Sequence, residues 1–270
     1  MNGRAWDDLP PALRRRLADR FGAEGRPEPV VGGFTPGVRV RMPVADNRAV
    51  FVKAIPTADP LAAMYRAEAA INSGLPAGLG PRLLGVLDGE GWVALAFEYA
   101  TGRNPDLSPE SADLPHVMAA VAGLSPALSP CPAPEVPEFA THPVVALASA
   151  HHEAMRGDTL LHCDIRADNV LMGERPLLVD WAMAHRGAAW LDVALMVPQL
   201  VMAGHTPEGA EAWAAQAPAY AVAPEAAVAA FASSLTGYWA KRLDEGVPEL
   251  RRYRRRAVEA GRAWKAFRGV

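Results

Sequence analysis

The stretch Leu160–Met172, LLHCDIRADNVLM, constrains this chain more than any other. His162, Asp164 and Asn169 stand in the order H-x-D-x-x-x-x-N, with apolar residues on both sides. A second apolar run, Leu177-Leu178-Val179, then delivers Asp180. Two short buried strands are therefore expected, each ending in polar groups. Polar side chains at the ends of apolar strands are costly to keep unless they hold one another or a ligand.

That set of side chains suits phosphoryl transfer from a nucleotide. One carboxylate accepts the proton of the attacking hydroxyl. A second carboxylate and an amide oxygen hold the metal ions that neutralise the triphosphate. An H-x-D with a later Asn also occurs in ordinary loops, where Asp and Asn favour turns. The upstream chain has to decide between the two.

Upstream, residues 1–22 read as a helix. Asp7 or Asp8 stands at its start, and Leu9, Leu13, Leu17 and Phe21 form one apolar seam. Arg14, Arg15, Arg16 and Arg20 read as its solvated faces. Residues 22–29 follow as a linker. Val30–Phe34, Val38–Met42 and Ala49–Ile55 read as three strands. The turn between the first two carries Gly33 and Gly37, whose backbone N–H groups could approach phosphates. It does not match G-x-G-x-x-G, and an ordinary hairpin explains it equally well.

Lys53 lies in the otherwise apolar run Phe51-Val52-Lys53-Ala54-Ile55. A lysine there needs a partner or an edge. Asp59-Pro60 opens a helix running to about Asn72, and Glu68 falls within it on an expected half-buried face. A strand-borne Lys paired with a helix-borne Glu places the ammonium on nucleotide phosphates. Strands near 82–87 and 92–98 follow, joined across Asp88-Gly89. The sequence then reaches a connector, Glu98-Tyr99-Ala100-Thr101-Gly102, whose backbone could pair with an adenine. After Gly102 helical periods dominate: 112–124, 139–155, 190–203, 207–216, 224–243 and 248–267. The proline-rich stretch 126–137 reads as a rigid linker.

Taken together, Lys53, Glu68, the connector, HCDIRADN and VDWAMAHRGAAWLDVA resemble the aminoglycoside phosphotransferase and choline kinase group of the protein-kinase-like superfamily. The resemblance spans about residues 30–200. It implies an α+β, two-lobed protein-kinase-like fold. Residues 1–29 would be a helix and linker. Residues 30–102 would be a nucleotide-binding lobe with a five-stranded antiparallel sheet and one helix. Residues 103–270 would be a mainly helical lobe with the catalytic loop and acceptor site.

By the same resemblance Asp164 is the catalytic base, Asn169 and Asp180 are magnesium ligands, and Lys53, held by Glu68, contacts the phosphates of ATP. Gly33, Gly37, Glu98 and Ala100 would complete the nucleotide site, and Asp192 would brace the catalytic loop. Cys163 replaces the glycine usual in this group and the arginine usual in protein kinases. With few residues between Trp181 and Trp190, a long activation loop has no room, which argues against a protein kinase.

The expected activity is ATP- and Mg2+-dependent transfer to a hydroxyl of a small molecule. The alternatives are an aminoglycoside antibiotic as that acceptor, or a nucleotide-binding regulator without catalysis. Composition sets further expectations. At 270 residues and 50% hydrophobic content there is ample core. A net charge of −3 points to no nucleic-acid partner, and no apolar run is long enough to span a membrane. Two cysteines and no apolar leader suggest a cytoplasmic protein. The last helix carries Arg251, Arg252, Arg254, Arg255, Arg256, Arg262, Lys265 and Arg268. These read as a solvated face, as do Glu208, Glu211 and Glu225 before them. That pattern favours neutral or weakly charged acceptors over polycationic ones.

Overall fold

A computed structural model describes residues 3–32, 35–133, 135–145 and 151–270. The chain divides into two compact units: residues 1–102 with 178–182, and residues 103–177 with 183–270.

The first unit is built on a five-stranded antiparallel sheet in the order β1-β2-β3-β5-β4. Its strands are β1 (Glu28–Pro29), β2 (Val38–Val44), β3 (Arg48–Pro56), β4 (Leu83–Gly89) and β5 (Trp92–Glu98). A helix covers each face. Helix α1 (Pro11–Phe21) follows a 3-10 turn at Trp6–Asp8, and α2 is Ala62–Gly74. Leu9, Leu13 and Leu17 pack with Val38, Val40, Met42, Val52 and Ala54. Burying each of those leucines is worth about 2 kcal/mol. On the other face, Ala62 and Tyr65 of α2 pack with Ile55, Val93, Leu95 and Phe97. Side chains alternate along a strand, so Phe51, Lys53 and Ile55 of β3 share the face that α2 covers.

The expected first strand is displaced. Pairing begins at Glu28 opposite Arg41 and Pro29 opposite Val40, before Val30. Val31 is 97% exposed and Gly32 has φ 126°, so the chain leaves the sheet there. Gly33 and Phe34 lie outside the described residues.

The second unit is mainly helical. It contains α3 (Leu114–Ala127), α4 (Leu191–Met202), α5 (Pro207–Ala214), α6 (Pro218–Ala221), α7 (Glu225–Lys241) and α8 (Pro248–Phe267). Residues Leu191–Leu200 of α4 are all buried, as expected of a helix enclosed on every side. Short strands flank the H-x-D-x-x-x-x-N stretch: β6 (Thr159–Leu161) pairs antiparallel with β9 (His185–Gly187), and β7 (Val170–Met172) pairs with β8 (Pro176–Leu178).

The helix expected over 139–155 does not form. Phe139–Thr141 and His152–Met155 are separate 3-10 turns, and residues 146–150 lie outside the described residues. His142 is extended, with φ −65° and ψ 139°. It precedes Pro143, which disfavours helical geometry in the residue before it.

Glu211 is not the solvent-facing residue its neighbours suggested. It is buried and accepts hydrogen bonds from Trp264 Nε1, from Tyr220 Oη at 2.8 Å and from Arg268 at 2.5 and 2.8 Å. Arg254 donates to the carbonyls of Arg242 and Glu245, and Arg256 to that of Met202. Several arginines of the C-terminal segment therefore serve as caps and anchors, while Arg252, Arg255 and Arg262 remain exposed.

Candidate active site

In the first unit Lys53 is 8% exposed and Glu68 3%. Lys53 Nζ pairs with the Glu68 carboxylate and donates to Asp180 Oδ1 at 3.0 Å. Burial would push the ammonium pKa down, but the Glu68 and Asp180 carboxylates outweigh it and raise the pKa, so Lys53 stays charged. Burial pushes Glu68 up, against the pull of Lys53. Glu68 is fully enclosed, deeper than the half-buried face expected. Lys53 also lies 5.1 Å from the Tyr65 ring centroid.

Asp180 sits at φ 66°, an unusual conformation for a non-glycine residue. Its local anchor is Trp181, which is buried and donates Nε1–H to the Leu178 carbonyl at 3.2 Å. Leu178 N–H in turn donates to Leu79 O at 2.9 Å. Gly80 makes this possible, because a Cβ there would stand 2.7 Å from the Leu178 carbonyl oxygen.

Gly37 has a packing reason independent of any ligand. A Cβ on it would meet the Tyr65 hydroxyl and would lie 2.7 Å from the Ala54 carbonyl oxygen. Glu98 ends β5 opposite Val50, and its carboxylate holds Arg82 at the surface at 2.7 Å. Ala100 follows in the connector, half-buried.

In the second unit β6 runs into His162, which is fully buried and accepts from the Asp164 backbone N–H through Nδ1 at 3.3 Å. Asp192, at the start of α4, accepts the backbone N–H groups of His162 at 2.8 Å and Cys163 at 3.0 Å. Burial raises its pKa to about 6, against the effect of those two bonds. Cys163 has φ 63°, which accounts physically for a glycine being the easier residue there. Its thiol pKa is pushed well up by burial and by the Asp192 carboxylate, so it is held as a thiol.

The Asp164 carboxylate, 31% exposed, accepts from Asn169 Nδ2 at 3.0 Å and pairs with Arg166 at 3.3 Å. Asn169 Nδ2 also donates to the Asp164 carbonyl at 2.8 Å. With its amide N–H groups engaged this way, Asn169 presents Oδ1 as an acceptor. The oxygens of Asn169 and Asp180 are the hard donors that Mg2+ prefers, so these residue types fit the expected cation. Asn104, which sequence reasoning did not single out, clamps the same loop by donating to the carbonyls of Ala167 and Val170, each at 3.1 Å. Only its proximity to the connector could have pointed to it.

A pocket open to solvent lies beside Asp164 in this unit. Phe139, His142 and Val144 form one wall, Phe231, Leu235, Tyr238 and Trp239 of α7 another, and Leu250, Tyr253 and Arg254 of α8 a third. None of these lining residues was singled out from sequence as an acceptor contact; Arg254 was read as part of a solvated face.

A five-stranded sheet with its buried Lys–Glu pair, followed by a helical unit bearing the H-x-D-x-x-x-x-N loop, defines a protein-kinase-like α+β fold. The resemblance to the aminoglycoside phosphotransferase group is supported by comparison. Residues 137–231 match the model of the phosphotransferase enzyme family (APH). A predicted fructosamine-3-kinase from Thermobifida fusca YX-ER1 has the same fold at 20% identity, covering 93% of this chain and 97% of that one, with a TM-score of 0.57. The amicoumacin kinase hAmiN in complex with AMP-PNP, Ca2+ and Ami is similar at 8% identity, 95% and 94% coverage and a TM-score of 0.58. No curated protein sequence matches the chain. Among the described residues, no helix is long and apolar enough to cross a membrane.

Proposed function

We propose that this chain transfers the γ-phosphoryl group of ATP, with Mg2+, to a hydroxyl of a small molecule. The observation that carries the reading is the Lys53–Glu68–Asp180 group. A buried ammonium is expensive to maintain. Here it is held charged by two carboxylates from distant parts of the chain, one of them much more exposed than the other. A structural ion pair needs only the first of them.

In this reading Lys53 binds the phosphates that are not transferred. Asn169 and Asp180 would supply oxygen ligands to Mg2+, which would neutralise charge on the triphosphate. Asp164 accepts the proton of the acceptor hydroxyl while that oxygen bonds to the γ-phosphorus. The bond from the γ-phosphorus to the bridging oxygen breaks, and ADP leaves. Asn169 and Arg166 hold the Asp164 carboxylate in one orientation, so little reorganisation remains at the moment of reaction. Asp192 acts at one remove by fixing the backbone of His162 and Cys163. Glu98 and Ala100 would lie along the adenine, with Gly37 in the turn over the phosphates.

The test is Mg2+-dependent ADP release across a panel of hydroxylated small molecules, with mass detection of the phosphorylated product. The reading requires at least one acceptor-dependent turnover that disappears in Asp164→Asn. ADP release unaffected by that substitution, or absent with every acceptor while ATP binds, refutes it.

A further inference from the structure

The pocket beside Asp164 carries information about what it accepts. Its floor and walls are rings: Phe139, Phe231, Tyr238, Trp239 and Tyr253. Among the described lining residues the only carboxylate is Asp164, and two guanidinium groups, Arg166 and Arg254, face it. His142 adds no charge near neutral pH, because burial, then His185 and Arg242, lower its pKa to about 4.

Both guanidinium groups already have partners. Arg166 lies 5.4 Å from the Tyr253 ring centroid and pairs with Asp164 and with Asp168 at 3.1 Å. Arg254 is engaged by the carbonyls of Arg242 and Glu245. The walls therefore lack the carboxylates a polycation requires, and of the two cations Arg166 is paired with acids while Arg254 is held through Nη1 by two carbonyls.

We propose that this pocket binds an uncharged hydroxyl compound bearing a flat or apolar ring, seated among Tyr238, Trp239, Tyr253 and Phe139 with its hydroxyl toward Asp164. The inference rests on the phosphotransferase reading, because it takes that hydroxyl to be the one Asp164 deprotonates. Ring-on-ring contact and apolar burial supply the affinity. An ammonium-rich acceptor would shed water beside two arginines and gain a single carboxylate, already engaged by Asn169 and Arg166. An anionic acceptor would have to compete with Asp164 and Asp168 for Arg166 and would itself approach the Asp164 carboxylate.

Calorimetric binding to the intact chain without nucleotide tests this with three probes. These are 4-nitrophenyl β-glucoside (neutral), 4-nitrophenyl β-glucuronide (the same ring with a carboxylate) and kanamycin (polycationic). The glucoside is expected to bind at least about tenfold tighter than kanamycin, which lacks the ring, the worth of one good aromatic contact, and also tighter than the glucuronide, whose carboxylate would lose water on entering the ring-lined pocket. Tyr238, half-buried on α7, is the side chain to remove. Tyr238→Ala should weaken the glucoside by about tenfold and leave Mg–ATP affinity unchanged. In case that variant fails to fold, Leu250→Glu places a carboxylate on the wall and should shift the preference toward kanamycin.

Kanamycin or the glucuronide binding as tightly as the glucoside, or no detectable binding of the glucoside, overturns the inference. Mg–ATP binding is measured separately. A chain that takes up the glucoside as expected but does not bind Mg–ATP sustains the pocket inference and defeats the phosphotransferase reading.

Discussion

Lys53 Nζ donates to Asp180 Oδ1 at 3.0 Å, joining residues far apart in sequence. Glu68, the other partner of Lys53, is 3% exposed, and this changes what a substitution would do. Lys53→Ala would leave a buried carboxylate without its counter-charge, at a cost of about 3–5 kcal/mol. Loss of ATP binding in that variant would then be confounded with unfolding. Lys53→Met with Glu68→Gln removes both charges and is expected to recover most of the stability. ATP affinity should remain depressed in the double variant, read by calorimetry. Recovery of both stability and ATP affinity would return Lys53 to a purely structural role. Asp180→Ala, by contrast, should weaken binding of ATP chiefly when Mg2+ is present.

Asp164→Asn is expected to leave nucleotide binding nearly intact and cut turnover by roughly 10² to 10⁴. The substitution keeps an oxygen for Asn169 Nδ2 and for Arg166 but cannot take up the proton. Equal turnover in the variant and the parent would move the base elsewhere.

Cys163 carries φ 63° while both of its neighbours are bonded, His162 through its N–H to Asp192 and Asp164 through its N–H to His162. A β-branched residue cannot relax there. Cys163→Val is expected to cost about 1–3 kcal/mol and to lower turnover by disturbing the loop. Cys163→Gly should retain or slightly raise the melting temperature. If valine were tolerated as well as glycine, the left-handed backbone at this position would be wrong.

His142 predicts an acid-sensitive component of stability. Burial, then His185 and Arg242, hold its pKa near 4, while the unfolded chain titrates near 6.5. The unfolded state therefore binds a proton first as pH falls. The contribution is fully present above pH 6.5 and is lost progressively toward pH 4, with an upper bound on the order of 3 kcal/mol. His185, 4.9 Å away, shifts in the same direction because it too is buried. Asp192 acts with the opposite sign. Its pKa is raised to about 6, so its contribution is present at low pH and lost as pH rises through 6. His142→Asn keeps an acceptor for the Val144 N–H and cannot titrate. Denaturant unfolding should show the parent losing stability relative to the variant as pH falls from 6.5 toward 4, with a constant difference above pH 6.5. Parallel curves would exclude the histidine as the source.

Much of the fold was legible because local chemistry and tertiary structure agree. The period-four leucines of α1, the alternation of β2 and the apolar run of β5 each bury the face their pattern predicts, and α8 spans the residues its periodicity marked. The segment 139–155 was misread because Pro143 limits the local geometry while the apolar residues around it retain a helical spacing. Glu211 was misread because a lone acid among alanines looks the same whether it faces water or an arginine near the end of the chain.

The order and chemical type of the site residues were determined by sequence alone. H-x-D-x-x-x-x-N and the later Asp180 are local patterns, and the proposed chemistry needs those residue types for reasons of charge and proton transfer. Tertiary structure alone decided that Asp180 reaches Lys53, that Asp192 fastens the loop through backbone N–H groups, and that rings from α7 and α8 wall the space beside Asp164. Those contacts join residues widely separated along the chain, and they depend on how helices and strands pack. Periodicity says which face of each helix is buried. It does not say that the same buried rings border a pocket.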